Sequence, residues 1–308
     1  MVSSIRGSIT RNRRAVAVIE THVATNRLGG RRRSALLGRL QPGAIASLLV
    51  FLVLCVPLTV PGRLAPYDPT AVSPNEIFQP PSGHHWLGTD QFGRDMLSRL
   101  IYGTHVSMSL GVVSVSLSVL ISLPLGVVSG YYRGVPDSLL MRLMDVVMAF
   151  PGILLALIVV AILGPGLANA MIAVGIGEAP AYTRVVRSTT LSVREQTYIE
   201  AARAVGAHDI HILLRYVVPN IIQPLIVISS VGFAVAIVIG SSLGFLGLGA
   251  QPPTAEWGTM VSEGRTYLRS QWWISVFPGA TIGVTVLALN ILGDALRDIF
   301  DPRLRQGW

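Results

Sequence analysis

Apolar residues along this chain fall into blocks of 20 residues or more that carry no Asp, Glu or Arg, separated by charged stretches. A helix needs about 20 apolar residues to cross roughly 30 Å of hydrocarbon, so each block is long enough for a membrane span. The first covers residues 43–62 and the second 105–132, with Gly111, Pro124, Gly126 and Gly130 tolerated inside it, as membrane helices allow. Between Asp145 and Glu178 lie 32 uncharged residues broken by Gly164-Pro165-Gly166, a turn signal that makes this block a hairpin of two helices. The block at 216–255 holds a helix that ends in the Gly-rich stretch 244–249 before Pro252-Pro253, and the last block is 270–293. The pattern predicts an all-α integral membrane protein with six spans, at about 43–62, 105–132, 143–163, 167–187, 217–243 and 271–293.

Composition supports that reading. Of 308 residues 51% are hydrophobic and only 13% charged, with a mean hydropathy of +0.58, whereas soluble domains carry about 25% charged residues. All 24 basic residues are Arg, so chemistry that needs a lysine is excluded, the lysine of a phosphate-binding P-loop included. The single cysteine, Cys55, excludes a disulfide framework, an iron–sulfur cluster and a Cys-based zinc site. The first apolar block is as long as a full span and begins after a long Arg-rich segment, which reads as a retained helix rather than a cleaved signal.

The arginines orient the spans. With a cytoplasmic N-terminus, inner segments hold nine before residue 43, then two, five and three, which is 19; the outer segments hold five, Arg63, Arg94, Arg99, Arg265 and Arg269. Both termini are therefore expected inside. The basic arm, residues 1–42, reads as a topology determinant in contact with anionic lipid rather than a nucleic-acid tail, and residues 299–308 as a cytoplasmic tail.

Two connecting segments carry more pattern than a linker needs. In the outer one, residues 63–103, Asp90 reads as a helix N-cap, and Trp86, Leu87, Phe92, Met96, Leu97 and Leu100 form an amphipathic face suited to a helix lying on the membrane. In the inner one, residues 188–216, Glu200 to Val205 are good helix formers, Gly206 permits a turn, and Asp209 to Tyr216 can form a second short helix before Pro219 opens the next span. Its apolar residues, Ala201, Ala202, Val205, Ile210, Leu213 and Leu214, exceed what a solvated loop needs and point to docking against a partner.

Glu200-Ala201-Ala202, then Gly206, then Pro219 resembles the cytoplasmic signature of ABC importer permeases. Residues 87–95 (LGTDQFGRD), 141–145 (MRLMD), 149–151 (AFP), 245–253 (FLGLGAQPP), 257–260 (WGTM), 296–298 (LRD) and 301–304 (DPRL) resemble the C-type permease of the dipeptide/oligopeptide (peptide/nickel) importers, from about residue 35 to the end. The resemblance implies a type I ABC importer permease fold over residues 104–298 in a bacterial inner or plasma membrane. It implies a coupling loop with Glu200, Ala201, Ala202, Gly206, Asp209 and Pro219 against the ATPase, and contact with a binding protein at Trp86, Asp90, Arg94 and Trp257. The implied partners are a B-type permease, two ATP-binding subunits or one fused ATPase, and an extracytoplasmic substrate-binding protein. The chain itself then has no ATPase site and no cofactor, with ATP and Mg held by its partners. Peptides are the first-choice substrate, with nickel chelates or other small metabolites as the alternative. Tyr216 and Val218 depart from the Ile and Leu common before the motif's proline, and both keep an apolar contact.

Rival readings fare worse. Gly240-Ser241-Ser242-Leu243-Gly244 matches the Gly-x-Ser-x-Gly pattern of serine hydrolases, but that motif needs a strand-turn-helix and a histidine base, and none of the six histidines falls inside a span core. Ser229, Ser230, Ser241 and Ser242 read better as helix packing or the polar lining of a pathway. His84-His85 and His208-x-x-His211 each lack further ligands for a metal site, and a secondary transporter would need ion-coordinating groups at mid-membrane. Glu178 is an unusual acid for its place. Two turns from Arg184 and Arg187, it is expected to reach the interface, since a charge at the membrane centre costs about 2.5–3.5 kcal/mol.

Overall fold

The computed structural model describes residues 42–300; residues 1–41 of the basic arm and 301–308 of the tail lie outside them. The described chain is helical, and its only strand-like pairing is an isolated bridge between Thr89 and Asp95. Besides a single turn at Pro61–Leu64, the α-helices in chain order are α1 (Pro42–Thr59), α2 (Met96–Tyr132), α3 (Gly134–Met148), α4 (Gly152–Leu163), α5 (Leu167–Arg194), α6 (Thr197–Ala204), α7 (Asp209–Ile212), α8 (Val218–Phe245), α9 (Trp257–Gly264) and α10 (Trp273–Phe300).

Three of these are long and apolar enough to cross a membrane: α2, the unit Asp209–Phe245 in which α7 runs through a π-turn into α8, and Trp273–Asp298 within α10. Helices α3 and α4 pass the same test as a pair but bend by 91° at their junction. The expected span at 143–163 is therefore not one rod. Pro151 caps α4 in an extended conformation and has no N–H to continue the ladder from α3, and Phe150 before it is steered away from helical geometry. Helix α5 has the length of a span but carries Glu178, Arg184, Arg187 and Arg194.

Helix α2, 37 residues and about 55 Å long, is the spine of the molecule. A small-residue stripe down one side, including Gly111, Ser114, Ser118, Ser122, Gly126 and Gly130, is buried. A Cβ on Gly126 would come within 2.6 Å of Val186, and one on Gly130 within 2.7 Å of Thr190, so only glycine lets α5 lie this close. Ser114 and Ser118 donate across the seam to the carbonyls of Met171 (3.0 Å) and Gly175 (2.8 Å).

The second span was expected to start near residue 105 and to be preceded by a separate interfacial helix. In the structure α2 begins at Met96, and Met96 and Leu100 are buried rather than laid on a surface. The cap is Asp95, whose carboxylate accepts from the Ser98 N–H at 2.8 Å, and not Asp90. Other helices outrun their expected limits: α5 continues to Arg194, so the inner connector starts there rather than at 188, and α10 continues to Phe300. Helix α9 lies in a stretch read as a connector; its cap, Glu256, is a residue type seldom found there, so the local signal for a helix start is weak.

Three buried clusters hold the helices together. One joins Met96, Leu100, Trp257, Met260, Trp273 and Ile274; the middle one joins Leu110, Ala156, Val160, Ala170, Val174 and Leu243; the third joins Val127, Tyr131, Tyr182, Val186, Ile199, Ile212 and Ile221. The third seats the α6–α7 knob against the end of α2.

Candidate functional site

The knob is built as two short helices hinged at Gly206, whose φ of +82° is a conformation an L side chain rarely adopts. Successive residues on α6 point about 100° apart, so its faces divide cleanly. Ile199 and Ala202 turn inward onto the third cluster, while Glu200, Ala201 and Val205 face out. Ala202 was expected to meet a partner beside Ala201; it is instead packed against its own bundle. On the outer face Val205, Ile210 and Leu214 are 85%, 70% and 66% exposed, an uncommon exposure for three neighbouring aliphatics. His208, Ile210, His211, Leu214 and Arg215 line a groove of about 590 Å³ on the same side. Pro219 follows the π-turn at the start of α8 and, having no N–H, skips one bond of the backbone ladder that otherwise runs on from α7.

Polar contacts tie this knob to the spine. The Tyr131 hydroxyl, at the end of α2, donates to the Asp209 carboxylate at 2.7 Å, and the guanidiniums of Arg203 and Arg194 lie 5.1 and 5.9 Å from the centre of its ring. Nearby, Arg187 forks onto Asp137 at 2.6 and 2.7 Å, Arg184 bonds Asp145 at 2.6 Å, and Arg133 pairs with Glu195. The knob is therefore joined both to α8, which continues it, and to α2, which holds it.

At the opposite end, the segment around residues 87–95 is a clamp. Arg94 Nε bonds Asp90 at 2.6 Å, while Arg94 and Arg99 both reach Glu263 on α9, at 3.1 and 2.8 Å. Asp90 also accepts from the backbone N–H groups of Phe92 and Arg94. The Trp273 indole donates to the Thr89 carbonyl at 3.0 Å and the Trp257 indole to that of Leu100 at 3.3 Å. Glu256 caps α9 by accepting from the N–H groups of Gly258 and Thr259, both at 2.8 Å, and also from the hydroxyls of Thr259 and Ser107. Burial pushes its carboxyl above the usual carboxylate range against the pull of those bonds. His85 joins Asp95 at 2.9 Å.

Three of the four residues expected to face a binding protein are thus enclosed. Asp90, Arg94 and Trp257 are 1%, 4% and 0% exposed; their charges and ring are consumed within the chain. Trp86 alone of the four is open. Of the four serines, Ser230 and Ser242 donate to carbonyls one turn back in their own helix and Ser229 lies against Tyr182. Ser241 is buried, and its hydroxyl has no hydrogen-bond partner among the described residues, so no histidine activates it.

Sequence reasoning passed over Tyr131, Glu256, Glu263 and Trp273. Tyr131 and Asp209 are 78 residues apart and Arg99 and Glu263 are 164 apart, and no local periodicity links such positions. The capping role of Glu256 had one trace, an acid two residues ahead of Gly258.

Residues 122–306 match the family described as "Binding-protein-dependent transport system inner membrane component". The chain is 44% identical over 266 residues to the glutathione transport system permease protein of Pectobacterium atrosepticum, covering 86% of this chain and 88% of that one. It is 42% identical to the di/tripeptide transport system permease protein of Pseudomonas aeruginosa, covering 85% and 89%. Among solved structures it resembles the MetNI methionine ABC transporter in an inward facing conformation, with a TM-score of 0.55 at 20% identity over 67% of this chain and 98% of that one. That last likeness is one of fold.

Proposed function

The chain belongs to the family of binding-protein-dependent transport system inner membrane components, and from that premise we propose that it is the C-type translocation subunit of an ATP-driven importer of dipeptides and oligopeptides. The observation that carries the substrate class is identity above 40% across most of both chains to permeases named for glutathione and for di- and tripeptides. The subunit resides in the inner membrane and works with a B-type permease, two ATP-binding subunits or one fused ATPase, and an extracytoplasmic binding protein. It performs no bond chemistry of its own.

In this reading six segments cross the membrane: α1, α2, the bent pair α3–α4, α5, the α7–α8 unit and α10. Both termini lie in the cytoplasm, as the Arg asymmetry of 19 to 5 favours. The exposed face of Glu200, Ala201, Val205, Ile210 and Leu214 is the seat of the ATPase, and Gly206, Asp209 and Pro219 shape the knob that carries it. Closure of the ATPases moves the knob. Because α7 continues into α8 and Asp209 is held by Tyr131, that movement tilts α8 and α2 together and opens the pathway on one side at a time. The clamp of Asp90, Arg94, Arg99 and Glu263 keeps the outer end rigid beneath the binding protein, which lands near Trp86. Ser229, Ser230, Ser241 and Ser242 lie along the α8 wall of the pathway.

The test is uptake by the whole complex in proteoliposomes, loaded with ATP on the cytoplasmic side and supplied with binding protein outside. Labelled dipeptide should accumulate only with ATP and binding protein together. Failure to move any peptide, with a nickel chelate transported instead, would overturn the substrate class.

A further inference from the structure

Helix α3 is set across the bundle rather than along it. Arg133 and Gly134, with φ of +56° and +63°, turn the chain out of α2, and at its other end α3 meets α4 at 91°. Helix α4 is the upright part of the pair, and its 12 residues reach about 18 Å. Two arginines of α5 fix the level at which α3 lies. The turn at 164–166 opens α5 at the far end of the bundle, where the Gly166 N–H bonds the Leu248 carbonyl just past the end of α8, at 3.0 Å. Counted from Leu167, the first residue of α5, Arg184 is about 26 Å along the axis and Arg187 about 30 Å. Asp145 accepts from Arg184 at 2.6 Å, and Asp137 accepts from Arg187 at 2.6 and 2.7 Å. The two acids are about 12 Å apart along α3, whereas the two arginines differ by only about 4.5 Å in depth. Helix α3 therefore runs nearly level along the edge of a hydrocarbon layer about 30 Å thick.

Its two sides differ in kind. At 100° per residue, Asp137, Leu140 and Met144 share one side; Met144 is buried, and Asp137 also accepts from the Ser129 hydroxyl at the end of α2. Val135, Leu139, Leu143 and Val146 fall together on the opposite side, within an arc of about 80°, and are 80%, 67%, 54% and 61% exposed. Arg142 stands exposed at the rim of that arc. The acids nearby are engaged, Asp137 by Arg187, Asp145 by Arg184 and Glu195 by Arg133, so the charge that flanks the stripe is the positive one of Arg142. An aliphatic stripe with an arginine at its rim, on a helix lying level at the edge of the layer, has the form of an interfacial helix. Water would leave four aliphatic side chains hydrated, and a long cationic side chain at that depth reaches the phosphates.

We propose that α3 is seated in lipid: Val135, Leu139, Leu143 and Val146 enter the acyl chains at the boundary of the layer, and Arg142 meets the phosphates of anionic headgroups. The ion pairs of Asp137 and Asp145 tie that seat to α5. The inference needs only that the chain spans a membrane, and not which solute it carries.

The experiment uses the assembled complex with Cys55→Ala and either Leu139→Cys or Leu143→Cys, exposed positions that leave the buried side of α3 untouched. Each cysteine carries a small environment-sensitive fluorophore, and the complex is reconstituted into phosphatidylcholine vesicles with or without phosphatidylglycerol. Spin-labelled acyl chains should quench both fluorophores at least twofold more strongly than iodide does, whereas Val205→Cys on the knob should show the reverse order. Phosphatidylglycerol should increase the acyl-chain quenching at 143, and Arg142→Gln should abolish that increase. Stronger quenching of 139 and 143 by iodide places the stripe in water and overturns the proposal. Protection from both quenchers assigns the stripe to a protein partner and overturns it as well. Quenching at 143 that ignores phosphatidylglycerol in the parental background overturns the headgroup contact of Arg142.

Discussion

The Tyr131 hydroxyl donates a 2.7 Å hydrogen bond to the Asp209 carboxylate, joining the last turn of α2 to the first turn of α7 across 78 residues of sequence. The bond has two consequences. It holds a negative charge at the start of α7, where the unpaired N–H groups favour it, and it ties the knob to α2 as well as to the continuous α7–α8 unit. Tyr131→Phe removes only the hydroxyl and leaves Asp209 without its donor. A hydrogen bond to a charged group contributes about 1.5–3 kcal/mol. The variant should insert and assemble normally, yet import less substrate per ATP hydrolysed. An unchanged transport-to-hydrolysis ratio would remove α2 from the coupling route.

The clamp makes a thermodynamic prediction. Arg99 is 1% exposed and its Nη2 group bonds Glu263 at 2.8 Å. Truncating one partner of a buried pair leaves the other charge without compensation, at a cost of about 3–5 kcal/mol. Glu263→Ala should lower the melting temperature of the detergent-solubilised complex markedly. The double variant Arg99→Met with Glu263→Met removes one charge of each sign and keeps the Asp90–Arg94 pair, so it should melt above the single variant. A double variant less stable than Glu263→Ala would show that the network acts through something other than charge balance.

These two contacts also mark the boundary of what the sequence discloses. The apolar blocks locate α2, α8 and α10 because span length is a local property. The knob was legible for the same reason: helix formers, a glycine and a proline follow each other within 20 residues. The break at Pro151 was carried by the proline itself, but the uncharged run across 146–177 masked it, because hydrophobic length does not register a bend. The outer segment was read by the wrong cap because Asp90 and Asp95 are equally good capping residues by type. What separates them is Glu263 and Arg99, which engage the ion-pair network around Asp90 from outside the segment's own turn. Side-chain direction, as at Ala202 and Trp257, follows from which neighbour packs on which face, and no spacing rule holds that information.

Topology has a direct test in which burial chooses the positions. Trp257 is fully enclosed and unsuitable for labelling, whereas His84 is exposed on the segment that precedes α2 and Val205 is exposed on the knob. With Cys55 replaced by Ala, His84→Cys should react with a membrane-impermeant maleimide added outside intact cells, and Val205→Cys only after the inner face is opened. Reaction of Val205→Cys from outside would invert the proposed orientation.

The faces of α6 give the sharpest separation between folding and coupling. Ala201 and Ala202 are neighbours in sequence, yet Ala201 is exposed and Ala202 lies against the cluster of Ile199, Ile212 and Tyr131. A Trp at 202 must displace that cluster, and overpacking of this kind costs about 1–3 kcal/mol or more; it should increase proteolysis of the knob and lower the amount of folded permease. Position 201 is exposed, so with a Trp there the subunit should accumulate at the parental level and keep its melting temperature. If the exposed face seats the ATPase, Ala201→Trp nevertheless loses ATPase on purification, or hydrolyses ATP without moving substrate. Gly206→Ala provides the third arm. Nothing lies within 4 Å of the added Cβ, so its effect comes from the φ of +82° alone, a backbone strain of about 1 kcal/mol. It should weaken coupling while leaving ATPase association nearly intact. Equal import by the parental chain and Ala201→Trp would mean that the ATPase docks elsewhere.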